Sequence, residues 1–447
     1  MNETWKADLS TTTLATHFAE MQPPLSVDAA LGEAYRCLYC YDAPCTQACP
    51  AAIDVASFIR KITTDNLKGA ARVILSANIL GATCARVCPV EKLCEGACVM
   101  LKEGRPPIAI GRLQRYVCDW ATAHGVQVLH KGRQKNKQVA VVGAGPAGLA
   151  CAAELARLGY GVTVFEAQEQ GGGMATYGIV DYHLPKEIPL AEVELVRSLG
   201  VAFVFGQAVG QDVPVDNLLA RYDAVFLGLG LNQGLPLQVP GAKLKGVVEA
   251  LDFIQDTKTK SLARLAVGRQ VAVLGGGNTA LDAAVAAKRL GAEEVTVYYR
   301  RTAAEMPAYP AKQSLAKEEG VTFHWLAAPQ QILGSERVEK LVLSKMCLGE
   351  PDESGRRRPI PIPGSEYKVP ADMVIVALGQ TMNPALPQKF GVRMANGLIQ
   401  VDDSGRTSHP KVFAGGDCVN GGREVVFAVA EGKRAAYGIA QMLSEGR

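Results

Sequence analysis

The spacing of apolar and polar positions changes character once along the chain. Up to about residue 130 the apolar residues recur at helical spacing, as in Ile53 to Ile62 and Leu67 to Leu80, without a β-branched run that would make a strand. A small helical domain is expected there, over 1–130. The polar, basic stretch KGRQKNK (131–137) then gives way to the apolar run Val139 to Val142, a linker followed by a buried strand. Beyond it short strands alternate with helical stretches, and one pattern occurs twice. VAVVGAGPAGLACAAELARLGYGVTVFE (139–166) and VAVLGGGNTALDAAVAAKRLGAEEVTVYYRR (271–301) each read as strand, glycine-rich turn, helix and strand, one βαβ unit apiece. Near the end, VFAGGDCVNGG (412–422) precedes a helical segment. A lone apolar strand cannot bury itself, so it is expected to return to the first sheet. The fold class is therefore α/β, with a first dinucleotide-binding domain over 136–233 and 378–447 and a second, over 234–377, inserted in it.

Composition narrows the class. Of the 447 residues 48% are apolar and 20% charged, and the net charge is +3. Intrinsic disorder and a polybasic nucleic-acid binder are both excluded by these values. The 46 glycines are in excess, which favours nucleotide-binding turns. No apolar run reaches the ~18 residues of a membrane span, and MNETWKADLSTTT lacks the basic-then-apolar profile of a secretion signal, so a cytoplasmic chain is expected. Eight of the twelve cysteines lie between Cys37 and Cys98. In such a chain thiols stay reduced, and clustered ones are better used on metal.

Gly143, Gly145 and Gly148 form G-x-G-x-x-G directly after a strand, with Ala144, Pro146 and Ala147 between them. The three glycines permit a tight turn, close approach of a pyrophosphate and close helix packing, while the helix N-terminus offers free N–H groups. Glu166, ending the next strand, can accept hydrogen bonds from a ribose. The late Gly415-Gly416-Asp417 supplies what a flavin site uses, a carboxylate before a second helix; Asp417 as a plain helix cap is the alternative. In the second unit Gly275, Gly277 and Ala280 repeat the turn, but the acidic residue is replaced by Tyr298, Tyr299, Arg300 and Arg301. Two cations there either engage an adenosine 2'-phosphate or sit solvated.

Cys37, Cys40, Cys45 and Cys49 are followed by Pro50, and Cys84, Cys88, Cys94 and Cys98 form a second set. Thiolates two to five residues apart can converge on one cube, a Pro after a ligand Cys belongs to the bacterial ferredoxin pattern, and there the fourth Cys of a run ligates the other cluster. Interleaved ligation of two [4Fe-4S] clusters is expected. Two zinc sites or buried thiols are the alternatives. Cys118, Cys151, Cys347 and Cys418 are scattered, without the spacing of a redox disulfide. His124, His130, His324 and His409 read as structural or solvated, and GRRRP (355–359) as a solvated loop whose basicity can help dock an acidic partner.

CLYCYDAPCTQACP, CARVCPVEKLCEGAC, PPIAIGRLQRYV, GAGPAGLACAAELARLGY, GGGMATYGIVDYHLP, GGGNTALDAA and VTVYYRR together resemble the iron–sulfur and flavin region of dihydropyrimidine dehydrogenases, in a family that includes the small subunit of glutamate synthase. The step from Cys88 to Cys94 and the GRLQR stretch favour the bacterial NAD-dependent flavin subunit. The resemblance implies one cluster on Cys37, Cys40, Cys45 and Cys98 and another on Cys49, Cys88, Cys94 and, in place of a thiolate, Gln114, with Cys84 a bystander. It implies FAD on Gly143 to Gly148, Glu166, Gln168, Gly172, Gly173, Met174, His183, Gly379 and Asp417. The nicotinamide falls on Gly276, Gly277, Asn278, Thr279, Arg300 and Arg301. A further basic residue of NADPH-using relatives falls near Pro307, so NADH is the expected donor and NADPH the alternative.

The function implied is oxidation of NADH, with electrons passing through FAD and two clusters to a separate FMN- and iron–sulfur-containing subunit that reduces uracil or thymine, in a heterotetramer. That subunit is needed because the chain ends at Arg447 without room for a pyrimidine site. No catalytic acid or base is expected, since hydride transfer needs orientation and an electron-accepting flavin. A glutamate-synthase-type small subunit and a zinc-thiolate scaffold are the rival readings; visible absorption separates the second.

Overall fold

A computed structural model describes residues 9–352 and 355–445. The MNETWKAD part of the stretch read for a secretion signal, and Arg447, lie outside the described residues. The chain divides into two compact units.

The larger unit takes residues 20–176, 183–231 and 382–447. Its first part is helical because the apolar residues share a face: Val55, Phe58, Ile59 and Ile62 of the Val55–Thr63 helix are buried, as are Ala70, Ala71, Ile74 and Leu75 of Leu67–Ala77. Each such large side chain contributes roughly 1.5–3 kcal/mol. The helix expected over Leu67 to Leu80 stops at Ala77 and restarts as Gly81–Val87, at 83° to the first. Asn78 is the cause: it adopts an extended backbone and its side chain accepts the Leu80 N–H at 2.9 Å, a local bond that competes with the helix.

The same unit contains a five-stranded parallel sheet in the order Val412–Ala414, Ala224–Leu227, Gln138–Val142, Gly161–Phe165, Ala202–Val204. The late strand does return to the first sheet, where it pairs with Ala224–Leu227. The long Val425–Glu445 helix packs on Pro146–Arg157, and a Cβ on Gly432 would lie 2.0 Å from the Ala147 carbonyl oxygen, so only glycine admits this approach.

The smaller unit takes 177–182, 232–381 and the N-terminal stretch through Ala19. Its parallel sheet runs Val247–Glu249, Met373–Val376, Gln270–Leu274, Glu294–Tyr299, Thr322–Trp325. An antiparallel sheet follows, built on Lys340–Pro351 with Ala327–Leu333, Arg357–Pro361 and Tyr367–Pro370. GRRRP is thus not simply a loop, since Arg357 and Pro359 pair along Lys340–Pro351, with a register shift between them. Nor is 1–130 one helical body. Leu14 and Phe18 are buried in this unit's core, and Arg289 donates to the His17 carbonyl at 2.6 Å. His324 stands between the rings of Tyr298 and Tyr367, and His124 stacks on Trp120, both structural positions.

Candidate redox sites

At the first glycine turn three positions differ in what they require. Gly143 has φ 99°, and a Cβ there would meet the Gly228 carbonyl oxygen at 2.4 Å. A Cβ on Gly148 would lie 1.9 Å from the Gly143 carbonyl oxygen. Gly145 meets only the Gly173 Cα, at 3.8 Å, so the protein itself leaves the space above it open. Pro146 starts the helix, with Ala147 and Gly148 buried behind it. The Glu166 carboxylate accepts from the N–H groups of Ala144 at 2.8 Å and Gln168 at 2.9 Å. Burial nevertheless raises its pKa, the two hydrogen bonds opposing the rise.

The Gly172 N–H donates to the Ala144 carbonyl at 2.8 Å, which closes the Gln168 to Met174 loop on the turn. Gly416 comes within contact distance of Ala147, which brings Asp417 to the same turn. Its carboxyl is pushed up to about 6, first by burial and then by Glu431 and Glu424. His183 is half-buried in this unit. Gly379 lies in the smaller unit, with φ 137° and its carbonyl accepting from the Leu235 N–H at 2.9 Å.

The second turn has the same logic. Gly275 has φ 145° and abuts the Ala377 carbonyl, while the Tyr299 ring covers Gly276. A Cβ on Gly277 would meet nothing within 4 Å. The Asn278 side chain accepts from the Tyr309 N–H at 3.0 Å, so it braces the loop that leads back over the turn; Thr279 follows it in the first turn of Asn278–Arg289. The arginine pair splits. Arg300 is exposed, whereas Arg301 is 4% exposed, donates to the Arg357 carbonyl at 2.7 Å and pairs with Asp352 at 2.7 Å. A 2'-phosphate has Arg300 available to it, not both.

Among the described residues no three His, Cys, Asp or Glu side chains close on a single-ion point. Cys37, Cys40, Cys45 and Cys98 instead line one cavity of about 400 Å³, counted with its mouth, whose other walls include Val55, Ile59 and Met100. That is the arrangement a polyatomic cluster takes. Burial raises the Cys37 thiol and pushes Cys45 up to about 11, with neighbouring thiols adding to the rise. The second group includes Cys84. The Cys88 thiol is raised first by its hydrogen bond to Cys84, then by burial, and further by Cys84, Cys94 and Cys49. Cys94 is pushed up to about 12 by burial and Glu95. Cys84 thus stands against Cys88 in this group. Gln114 is buried and its Nε2 donates to the Gly81 carbonyl at 2.7 Å. The signal for Cys84 was present in the four-residue step to Cys88.

The comparisons fit both halves. Residues 137–432 match the family described as pyridine nucleotide-disulphide oxidoreductase. Residues 14–126 match dihydropyrimidine dehydrogenase domain II, 4Fe-4S cluster. The glutamate synthase [NADPH] small chain of Halomonas elongata is 38% identical, covering 96% of this chain and 94% of that one. This chain belongs to the glutamate synthase small-chain family. Like it, the NADP(+)-dependent formate dehydrogenase subunit beta of Moorella thermoacetica is 38% identical over 90% of this chain and 60% of its own length. The structure of FprA from Mycobacterium tuberculosis in complex with NADPH has the same fold, with a TM-score of 0.59 at 20% identity over 70% of this chain and 86% of that one.

As a member of this family the protein is an NAD(P)H-dependent flavin and iron–sulfur oxidoreductase that transfers electrons. Among the described residues all twelve cysteines are free thiols, and no single helix is long and apolar enough to cross a membrane.

Proposed function

We propose that the chain is the electron-donating subunit of a glutamate-synthase-type complex, taking hydride from NADPH and delivering electrons singly to a partner subunit. The observation that carries this reading is the presence, in the unit that has the flavin-type turn, of two separate groups of four thiols. Bound FAD accepts two electrons as hydride and two [4Fe-4S] clusters carry one each, which is the conversion such a pairing supplies. The chain's own part is positioning. Gly145 and Gly277 leave room for pyrophosphates, Glu166 would hold a ribose, and Asp417 would accept from the hydroxyls of the flavin's ribityl chain. Cys37, Cys40, Cys45 and Cys98 hold one cluster and Cys49, Cys84, Cys88 and Cys94 the other, with Gln114 as the substitute for Cys84.

NADPH is preferred to NADH because Arg300 stands exposed at the strand end and the relatives are named for NADPH or NADP(+). A second reading, the donor subunit of a bacterial dihydropyrimidine dehydrogenase, is supported by the six-residue step from Cys88 to Cys94, the GRLQR stretch and the description of the matched iron–sulfur domain. Anaerobic protein should contain iron and inorganic sulfide for two clusters, and both flavin and cluster absorbance should bleach with NADPH. Capture of a large amidotransferase-type subunit supports the first partner; an FMN-containing subunit, with uracil reduced only in the joint complex, supports the second. Colourless, sulfide-free protein refutes both.

A further inference from the structure

Three side chains of the flavin-type fold grip one short piece of the helical part. Arg157 Nη1 and Lys433 Nζ donate to the Ser76 carbonyl at 3.1 and 2.9 Å. Six and seven residues on, the Glu192 carboxylate accepts from the N–H groups of Ala82 and Thr83 at 2.8 and 3.0 Å and bonds the Thr83 hydroxyl at 2.5 Å. The signs of charge are matched to the backbone. Two cations face the carbonyl end of Leu67–Ala77 and an anion faces the amide end of Gly81–Val87, as the helix dipoles require. The gripped piece runs directly into Cys84 and Cys88.

The other ends of the gripping helices reach the flavin-type turn. Arg157 closes the Pro146–Arg157 helix, which starts at that turn; Lys433 sits on Val425–Glu445, which follows Asp417. Val193, next to Glu192, packs against Gly171 of the loop closed on the turn. Glu154 ties the first two helices together, accepting from Arg157 at 2.8 Å and from the Tyr437 hydroxyl at 2.7 Å. A rigid path of packed helix and charged hydrogen bond thus joins one candidate cofactor site to the other, and Glu154, Arg157, Glu192 and Lys433 belong to neither.

We propose that Arg157, Glu192 and Lys433 are positioning residues that lock the Cys84–Cys88 segment onto the flavin fold and thereby set the rate at which electrons leave the flavin for the second thiol group. The proposal rests on the donor-subunit reading. Electron transfer between two bound groups slows as their separation grows, and Glu192 is the contact whose loss frees the most backbone donors.

The test is anaerobic stopped-flow reduction of the full chain, loaded with FAD and clusters, by NADPH. Flavin bleaching and cluster bleaching are followed separately, with hydrogen exchange at the Ala82 and Thr83 amides. In Glu192→Ala, flavin bleaching should keep its wild-type rate, cluster bleaching should slow several-fold, and both amides should lose protection. Glu192→Gln should restore both cluster bleaching and amide protection, because an amide oxygen accepts from the two N–H groups while its nitrogen donates to the Thr83 hydroxyl. Should Glu192→Ala not fold, Lys433→Met, which removes only the carbonyl tie, is read in its place and should slow cluster bleaching alone. Cluster bleaching at the wild-type rate in the variant that folds, or a Gln variant as slow as Ala, overturns the proposal. Wild-type protein whose flavin bleaches while its clusters do not overturns the donor-subunit reading instead.

Discussion

Substituting alanine at the three kinds of glycine should separate residues needed by the protein from those needed by its ligand. Gly277 has φ −86° and ψ 174°, a conformation open to alanine, and its Cβ would meet nothing within 4 Å. It is also an N-cap, where alanine is worse than glycine by several tenths to about 1 kcal/mol, while the reduced entropy of the unfolded chain returns about 0.4–1 kcal/mol. Gly277→Ala should therefore leave stability within about 0.5 kcal/mol of wild type. The methyl group occupies the space we assign to a pyrophosphate and displaces two backbone N–H donors to it. At roughly 1.5–3 kcal/mol for a hydrogen bond to a charged group, with partial retention, the loss is about 2–4 kcal/mol, or about 30- to 1,000-fold in Kd for NADPH. Gly148→Ala is the opposite case. Its Cβ would overlap the Gly143 carbonyl oxygen at 1.9 Å, and Gly143 cannot retreat because its own Cα already faces the Gly228 carbonyl. Overpacking of this kind costs about 1–3 kcal/mol or more. Urea unfolding of both variants, with equilibrium NADPH binding to the folded protein, measures the two effects. A Gly277→Ala protein as unstable as Gly148→Ala, or one that binds NADPH as wild type does, would refute the reasoning.

Arg300→Ala should weaken NADPH binding about 10- to 100-fold and leave NADH unchanged, since it removes a charge-assisted phosphate contact of about 1.5–3 kcal/mol; equal effects on both nucleotides would sink this. Arg301→Ala should act on stability, by about 1–3 kcal/mol, because it removes the buried guanidinium's charge-assisted bonds to the half-buried Asp352 and to the Arg357 carbonyl; a thermal melt decides. Cys84→Ser should lose about half of the iron and sulfide if Cys84 completes the second cluster, with Gln114→Ala keeping its full content, and the reverse result returns the ligand role to Gln114. Burial pushes the Glu192 carboxyl up to about 7 from an ordinary 4.5, against the opposing hydrogen bonds of Thr83 and Ala82 and the charge of Arg86. The folded chain then holds a proton that the unfolded chain has released, so this contribution to stability is full below the unfolded value and drains as pH rises through about 7. Urea midpoints at about pH 5.5 and about pH 8 should differ by more in wild type than in Glu192→Gln, and equal differences would contradict it.

What the chain by itself determined is local. The two strand–turn–helix units are written in contiguous residues because a glycine turn, a period-changing apolar run and a strand end each depend on neighbours a few positions away. The sets of closely spaced thiols were legible for the same reason. Contacts between residues far apart in sequence were decided only by the fold. Arg300 and Arg301 are chemically identical in sequence, yet a strand some fifty residues later buries one and leaves the other in water. The break at Asn78 and the approach of Cys84 to Cys88, one helical turn on, are local, but the arrival of Cys49 beside that pair spans some thirty-five residues. Glu192 lies about a hundred residues from the amides it holds. Periodicity reports which face of an element is buried; it carries no record of which distant partner buries it, because that choice is made by packing the whole core at once.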